Sequence, residues 1–298
     1  MIQKFDKRNT DIKVWINGEL LHRDEAKISV FDSAVQGGDA VWEGIRIYDG
    51  RIFCFDKHLN RLMESAKSMD FKNIPSIKEI KNAVFSTLKA NEMKDDTHIR
   101  LTLTRGEKIT SGMNPKLNQK GCTLIVLAEW KSSIFYGKEL RLVTSNIRRN
   151  SPLCLDSKIH HANLINNILA KIEANFAGVD DALMLDLDGF VSETNATNVF
   201  MIKNGVVYTP FPKACLPGIT RQTVIDLCRK NNIEIIEKDI SVTEMYNADE
   251  VFTTGTMGEL ARVNEIDNRK IENKGEVLKQ LQSLFRKMTE LEGETLPF

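Results

Sequence analysis

The apolar positions change rhythm along the chain. Up to about residue 130, short runs of alternating or continuous apolar residues are separated by two longer stretches with a spacing near 3.6. The short runs, Lys13 to Ile16, Arg46 to Tyr48, Ile52 to Phe55, Ile99 to Thr104 and Cys122 to Ala128, predict strands; the longer ones, His58 to Met69 and Ile77 to Asn91, predict amphipathic helices. Lys131-Ser-Ser-Ile-Phe-Tyr-Gly137 breaks this pattern with polar and turn-forming residues and reads as a linker over 131–137. It divides a small N-terminal domain of mixed α and β (1–130) from a larger, β-rich domain (138–298), an α+β fold overall. The second part opens its strands at Leu140. It then predicts a helix over Asn163 to Ala177, with Leu164, Ile165, Ile168, Leu169, Ile172 and Phe176 on one stripe. A hairpin follows, turning at Asp188-Gly189 between Ala182 to Leu187 and Phe190 to Glu193. Strands near Asn198 to Ile202, Val206 to Tyr208 and Glu250 to Thr253 complete the pattern, with a helix after Gly218 and a closing helix from about Gly275 to Glu290. There is no internal repeat and no low-complexity segment.

Composition narrows the function. The 298 residues suffice for two modest cores, and 42% hydrophobic with 28% charged is ordinary for a globular chain. Lysine plus arginine equals aspartate plus glutamate at 41 each, so no electrostatic footprint for nucleic acid or an anionic membrane stands out. Small-molecule partners are expected. No apolar stretch is long enough to span a bilayer and the first residues lack an apolar signal core, so the cytoplasm is the expected compartment. Five scattered cysteines without a Cys-x-x-Cys pair read as free thiols rather than as a disulfide framework or a zinc site. No metal site is expected: His160 and His161 are strand neighbours that would point apart, and the aspartates from 180 to 188 lack the spacing of a calcium loop.

The chemistry concentrates between Glu193 and Arg221. Glu193 ends a β-rich run and could point inward, where a carboxylate keeps a pyridine nitrogen protonated. Leu216-Pro-Gly-Ile-Thr220 opens a helical pattern, and the free N–H groups of a helix start, together with the Thr220 hydroxyl, suit a phosphate. Together these parts suit pyridoxal 5'-phosphate.

At this point the chain resembles the class IV aminotransferases, the fold-type IV pyridoxal-phosphate enzymes that include branched-chain and D-amino-acid aminotransferases and aminodeoxychorismate lyase. The resemblance runs through Gly37-Gly-Asp-Ala-Val-Trp-Glu-Gly-Ile-Arg46, His58-Leu-Asn-Arg61-Leu, Thr104-Arg105-Gly106, the run from Glu193 through Asn198 to Phe200, Leu216 to Arg221, and Thr254-Gly-Thr-Met-Gly-Glu-Leu260. It implies that Arg61 clamps the phosphate with Gly218, Ile219, Thr220, Gly255 and Thr256, that Glu193 and Asn198 belong to the cofactor site, and that Trp42, Arg100, Trp130 and Met257 contact substrate. It further implies a homodimer. The implied reaction is transamination of an L-amino acid, branched-chain or otherwise apolar, with 2-oxoglutarate. Departures concern the substrate pocket: His98 stands for the tyrosine of a Tyr-x-Arg strand, Gly37 for another tyrosine, and Leu164 for the tyrosine beside the cofactor.

The catalytic amine is the main departure. In the family a lysine precedes an asparagine by three or four residues, and counting back from Asn163 reaches His160 or Ile159. Two readings follow. Lys158 lies two residues from His160, about 6.5 Å along an extended strand and on the same side, so it could reach in while His160 acts as a partner base. Alternatively the lysine is lost and His160 occupies its place; a histidine carries a proton near neutral pH but makes no stable imine. Three other functions compete: a D-amino-acid aminotransferase, a lyase releasing pyruvate from aminodeoxychorismate, and a non-catalytic cofactor-binding homologue.

Overall fold

The computed structural model describes residues 5–132, 138–272 and 275–298. Its chain contacts define two units. One holds residues 5–132 together with Ile159–Asn163 and Glu292–Phe298; the other holds 138–158 and 164–291. Two segments from later in the chain thus belong to the N-terminal unit, which no composition change marks. Of the linker expected at 131–137, residues 133–137 lie outside the described residues.

The N-terminal unit is built on β1 (Lys13–Ile16), β2 (Glu19–His22), a short helix α1 (Ser33–Gly37), β3 (Ala40–Tyr48), β4 (Arg51–Ile52), α2 (Phe55–Ser68), α3 (Ile77–Ala90), β5 (Thr97–Thr104) and β6 (Thr123–Trp130). Its sheet runs from the C-terminal strand Glu294–Thr295 through β4, β3, β5, β6 and β1 to β2. β3 and β5 pair antiparallel without a break from Ala40↔Thr104 to Ile47↔Thr97, and β5 continues onto β6. Period two sorts β3: Val41, Ile45 and Ile47 join a core with Leu59 and Leu62 of α2, Ile80, Val84 and Leu88 of α3, and Ile99, Leu101 and Val126 of the neighbouring strands. Ser76 and Glu79 close a capping box at the start of α3. β3 begins six residues before the expected strand. Its core face carries Glu43 among aliphatic residues, and its other face carries Trp42, Gly44 and Arg46, so apolar pattern alone misses its first two-thirds.

The C-terminal unit contains β7 (Leu140–Thr144), α4 (Ile165–Phe176), β8 (Asp181–Leu185), β9 (Val191–Thr194), β10 (Asn198–Lys203), β11 (Val206–Thr209), α5 (Ile219–Lys230), β12 (Ile235–Glu237), α6 (Val242–Tyr246), β13 (Glu250–Gly255), β14 (Glu259–Ile266), β15 (Arg269–Lys270) and α7 (Val277–Leu291). The order β12-β11-β10-β13-β14-β7-β8-β9 makes one sheet, with β15 paired to β14. Val199, Met201, Val251, Ala261 and Val263 form its core with Leu140, Leu142 and Leu183, and Phe200 stacks on Phe252 at 4.9 Å between ring centres. The β8–β9 turn forms where expected: Asp186 accepts from the amides of Asp188 and Phe190, and Gly189 takes φ +87°.

The stripe predicted on α4 forms, but it faces solvent. Ala170 and Ala174 pack against Ala182 and Met184, whereas Ile165 is 70% and Phe176 88% exposed, with Ile168, Leu169 and Ile172 also exposed. Small side chains let the helix lie close to β8, and the large ones are left on the outside.

Candidate active site

In the N-terminal unit a charged cluster is buried around Glu43, which is 0% exposed. Because β3 is extended, Glu43 shares its face with Val41 and Ile45 and points at α2, where His58 and Arg61 stand one turn apart. Arg61 donates from Nε to Glu43 Oε1 at 2.8 Å and from Nη2 to Oε2 at 2.7 Å, a two-pronged pairing. His58 Nδ1 lies 2.7 Å from Oε2, and His160 Nδ1 lies 3.1 Å from Oε1. Burial pushes the Glu43 carboxyl up, but the charge attraction of His160 and the hydrogen bonds from Arg61, His160 and His58 outweigh it and hold the carboxyl well below its usual range. Both imidazoles therefore turn Nδ1 toward a carboxylate acceptor.

His160 is held from several sides. The amide of Trp42 donates to its carbonyl at 2.9 Å, Ala162 donates to Ala40 O, and the indole of Trp42 donates to His161 O, so residues 160–162 lie along β3. The His160 amide donates to Ser65 Oγ of α2, and the imidazole packs on Trp42 with 4.1 Å between ring centres. Burial pushes the ring below its usual pKa, with Glu43 pulling the other way.

Lys158 is placed differently. It belongs to the C-terminal unit, and residues 157 and 158 form a turn rather than the extended strand that the same-side argument requires. The cause is local: Asp156 accepts from the Lys158 amide, and the ammonium lies 3.7 Å from the same carboxylate with the side chain 47% exposed.

The remaining substrate candidates of this unit do not all gather. Arg100 lies over the Trp42 ring at 3.3 Å from its centre, and burial lowers its pKa to about 10 against the pull of Glu43. Trp130 pairs with Thr97, five positions along β5 from the Trp42 partner Thr102, an offset of about 16 Å. Its backbone is tied to Asn9 and its ring lies under Arg8. The two tryptophans therefore do not face each other. Sequence reasoning passes over Glu43, His58 and Arg46. A carboxylate interrupting an aliphatic strand face, and a histidine three residues before Arg61, are the available signals. Arg46 is 7% exposed, and its Nε and Nη1 have no hydrogen-bond partner among the described residues.

The C-terminal unit carries the second cluster, organised by Asn198 at the start of β10. Its amide donates to Glu193 Oε2 at 3.2 Å and to Leu216 O at 2.9 Å. Asn198 pairs with Thr254 of β13, which brings Gly255, Thr256 and Met257 beside it. Gly218 caps α5, and a Cβ there would stand 2.1 Å from Asn198 Oδ1, so only glycine permits this approach. Ile219 and Thr220 form the first turn of the helix, where amide N–H groups lack helical acceptors. A Cβ on Gly255 would meet Thr197 at 3.0 Å, and the neighbouring Thr254 hydroxyl is buried without a partner among the described residues. These are groups able to hold a phosphate: backbone N–H, two threonine hydroxyls and a helix start.

Glu193 faces Arg149, whose Nε donates to Oε1 at 2.8 Å. The guanidinium is itself anchored on Asn166, Asn167 and Ser157. Burial raises the Glu193 carboxyl to about 7, Arg149 working against it. Sequence reasoning misses Arg149 as well; its only signal is its place in Arg148-Arg149 after a strand. A buried carboxylate that is ionised near neutrality only through a neighbouring cation can serve a protonated ring nitrogen. Among the described residues no cluster of three His, Cys, Asp or Glu is placed to hold a metal ion.

The amino-transferase class IV family model matches residues 40–266. Branched-chain-amino-acid aminotransferase-like protein 2 of Arabidopsis thaliana is 57% identical over 97% of this chain, and the chain spans about half, 52%, of that relative's length. The branched-chain-amino-acid aminotransferase of Pseudomonas aeruginosa is 33% identical, with 91% of each chain covered. The crystal structure of the Escherichia coli branched-chain amino acid aminotransferase superposes with a TM-score of 0.88 at 30% identity, covering 95% of this chain and 96% of that one. The fold is that of the fold-type IV enzymes, and the chain belongs to the class IV aminotransferase family.

Proposed function

We propose that this chain transfers amino groups with pyridoxal 5'-phosphate, taking them from an L-amino acid with a branched-chain or other apolar side chain and passing them to 2-oxoglutarate. The observation that carries this reading is the buried Glu193–Arg149–Asn198 network beside the Gly218–Thr220 helix start, a carboxylate and a phosphate-type cradle joined through one asparagine. When bound, the cofactor supplies an electron sink for the substrate's Cα bonds. Glu193 holds a proton at the ring nitrogen, with Arg149 keeping the carboxyl ionised enough to pair with it. Gly218, Ile219, Thr220, Gly255 and Thr256 hold the phosphate through N–H and hydroxyl donors. Arg61, which the family resemblance gives to the phosphate, has its Nε and Nη2 engaged by Glu43. Arg100 over Trp42 suits a substrate carboxylate, and the amide region of Met257 lies beside the threonine cradle.

The working form is proposed to be a homodimer. The exposed apolar stripe of α4, Ile165, Ile168, Leu169, Ile172 and Phe176, supports assembly because it leaves a helix face without partners inside its own unit. The proposed compartment is the cytoplasm, where the five free cysteines stay reduced. Incubation of the cofactor-loaded protein with L-leucine, L-valine, D-alanine and aminodeoxychorismate tests the reading. The expected outcome is conversion of bound cofactor to its amine form by the L-substrates. Conversion by D-alanine alone, or pyruvate release without consumption of 2-oxoglutarate, rejects it in favour of the D-specific enzyme or the lyase. A cofactor that binds and is never converted by any of them leaves a binding protein.

A further inference from the structure

Resting on the aminotransfer reading, we propose that Asn166 and Asn167, in the first turn of α4, are positioning residues for the ring-nitrogen carboxylate: as neutral acceptors they hold Arg149 against Glu193 and leave its charge undivided.

The geometry lies wholly within the C-terminal unit. The Arg149 guanidinium directs Nε to Glu193 Oε1 at 2.8 Å, Nη1 to Asn166 Oδ1 at 2.7 Å and Asn167 Oδ1 at 3.3 Å, and Nη2 to Ser157 Oγ at 3.0 Å. Of these four acceptors only Glu193 is an anion. Each asparagine also makes a second bond. Asn166 Nδ2 donates to Arg148 O at 2.7 Å, so one amide brackets the arginine through its guanidinium and through the backbone that carries it. Asn167 Nδ2 donates to Asn195 O at 2.9 Å, in the turn between β9 and β10. Thr197 of that turn packs on Gly255, where a Cβ would meet it at 3.0 Å. Asn167 thereby ties the cation beside Glu193 to the turn that leans on the threonine cradle.

Amides at these two places run against helix preference. The positive end of the helix dipole favours Asp or Glu in a first turn, and α3 and α6 carry Glu79 and Glu244 there, yet α4 has no acidic residue. A carboxylate at position 166 would give Arg149 a second anionic partner and set a like charge across one guanidinium from Glu193. The neutral Oδ1 atoms supply orientation without that competition.

The other neighbours leave Arg149 as the balancing charge. Burial pushes the Glu193 carboxyl up, against Arg149 and a hydrogen bond from the Leu216 backbone ahead of α5. Asn198 of β10 adds a neutral donor. The Cys215 thiol, which feels Glu193, is pushed up to about 12 by burial and stays neutral. Lys158 and Arg221 act on that thiol, but Lys158 is turned to Asp156 and Arg221 to Glu237. Asp181 of β8 is paired with Lys171 of α4.

The test follows the glutamate carboxyls of the full chain by 13C NMR, with the Glu193 signal identified by its loss in Glu193→Gln. In the cofactor-free protein, Asn166→Asp keeps an acceptor in place and is silent under glutamate labelling; it is expected to move the Glu193 midpoint from about 7 to about 8 or higher. Asn167→Asp should move it the same way by less, in line with the longer contact. An anchor that is only structural leaves the midpoint where it was, because the acceptor survives, and an unmoved midpoint in both aspartate variants overturns the proposal. Midpoints of 7 and 8 leave about one half and one tenth of the carboxyls ionised at pH 7, so pyridoxal phosphate should bind Asn166→Asp about fivefold more weakly there. Unchanged affinity in a variant whose midpoint has moved separates the carboxyl from the ring nitrogen and also overturns it. Failure of the wild-type chain to bind the cofactor at all instead refutes the aminotransfer reading on which the proposal stands.

Discussion

Replacing Arg149 by methionine isolates the electrostatics of the C-terminal cluster. The guanidinium donates to Glu193 at 2.8 Å, Asn166 at 2.7 Å, Ser157 at 3.0 Å and Asn167 at 3.3 Å, and both charged side chains are almost fully buried. Removing one partner of such a pair leaves an uncompensated buried charge, at a cost of about 3–5 kcal/mol. Glu193 can escape part of that cost by taking a proton. Its carboxyl already sits at about 7 with Arg149 present, and loss of the arginine moves it higher. The expected loss for Arg149→Met is therefore close to the full figure at pH 8 and clearly smaller at pH 5, where the carboxyl is neutral in both proteins. At about 2–4 °C per kcal/mol, the cofactor-free protein should melt roughly 6–20 °C lower at pH 8. Calorimetry or circular dichroism at the two pH values reads this directly. In a Glu193→Gln background the same substitution should cost much less, since no carboxylate is stranded. An equal loss at both pH values, or one below about 1 kcal/mol at pH 8, refutes the charge argument and makes Arg149 a packing residue.

Other expectations follow from the same distances. The folded Glu193 carboxyl lies above its ordinary value of 4.5, so the native state holds the extra proton: its contribution is complete below about pH 4.5 and is lost as pH rises through about 7, a decline of about 3 kcal/mol that Glu193→Gln should flatten in pH-dependent melts of the cofactor-free protein. Gly218→Ala puts a methyl 2.1 Å from Asn198 Oδ1 and should weaken cofactor binding at least tenfold in a fluorescence titration, while the same change at Gly205, where nothing lies within 4 Å but φ is +79°, should cost stability alone. Ile168→Asp with Leu169→Lys on the outer face of α4 should convert a dimer into monomer in light scattering while the monomer's melting point changes little; an unchanged mass removes that face from the interface.

What can be read from the chain in advance is mostly periodic or chemically distinctive. Strands β5 and β6, helices α2, α3 and α5 and the Asp188-Gly189 turn announce themselves by spacing and turn residues. Glu193, Asn198 and Gly218, proposed as one cofactor group, lie together in the structure. The start of β3 is hidden because Trp42, Glu43 and Gly44 blur the alternation of an otherwise buried strand. The stripe of α4 is legible but not the side on which it lies, because two alanines, and not the large aliphatic side chains, meet the sheet. Partnerships are hardest to see: Glu43 with Arg61, His58 and His160, and Glu193 with Arg149, join residues 15 to 117 positions apart and leave no local pattern. The extended geometry expected for Lys158 fails for a local reason, since Asp156 captures its amide and turns the chain.

The return of Ile159–Asn163 and Glu292–Phe298 to the N-terminal unit bears on the order in which the protein is made. Glu294 and Thr295 pair with β4 and Leu296 donates to Gly50, contacts spanning more than two hundred residues. During synthesis the first unit therefore emerges with β4 as an unpaired edge and with the Glu43 carboxylate lacking His160, and it stays so while the whole second unit is translated. Non-local contacts of this kind slow folding and prolong exposure of a bare strand. The C-terminal unit, contiguous apart from one short excursion, can close on itself first, so the half that is translated earlier is the half that finishes last.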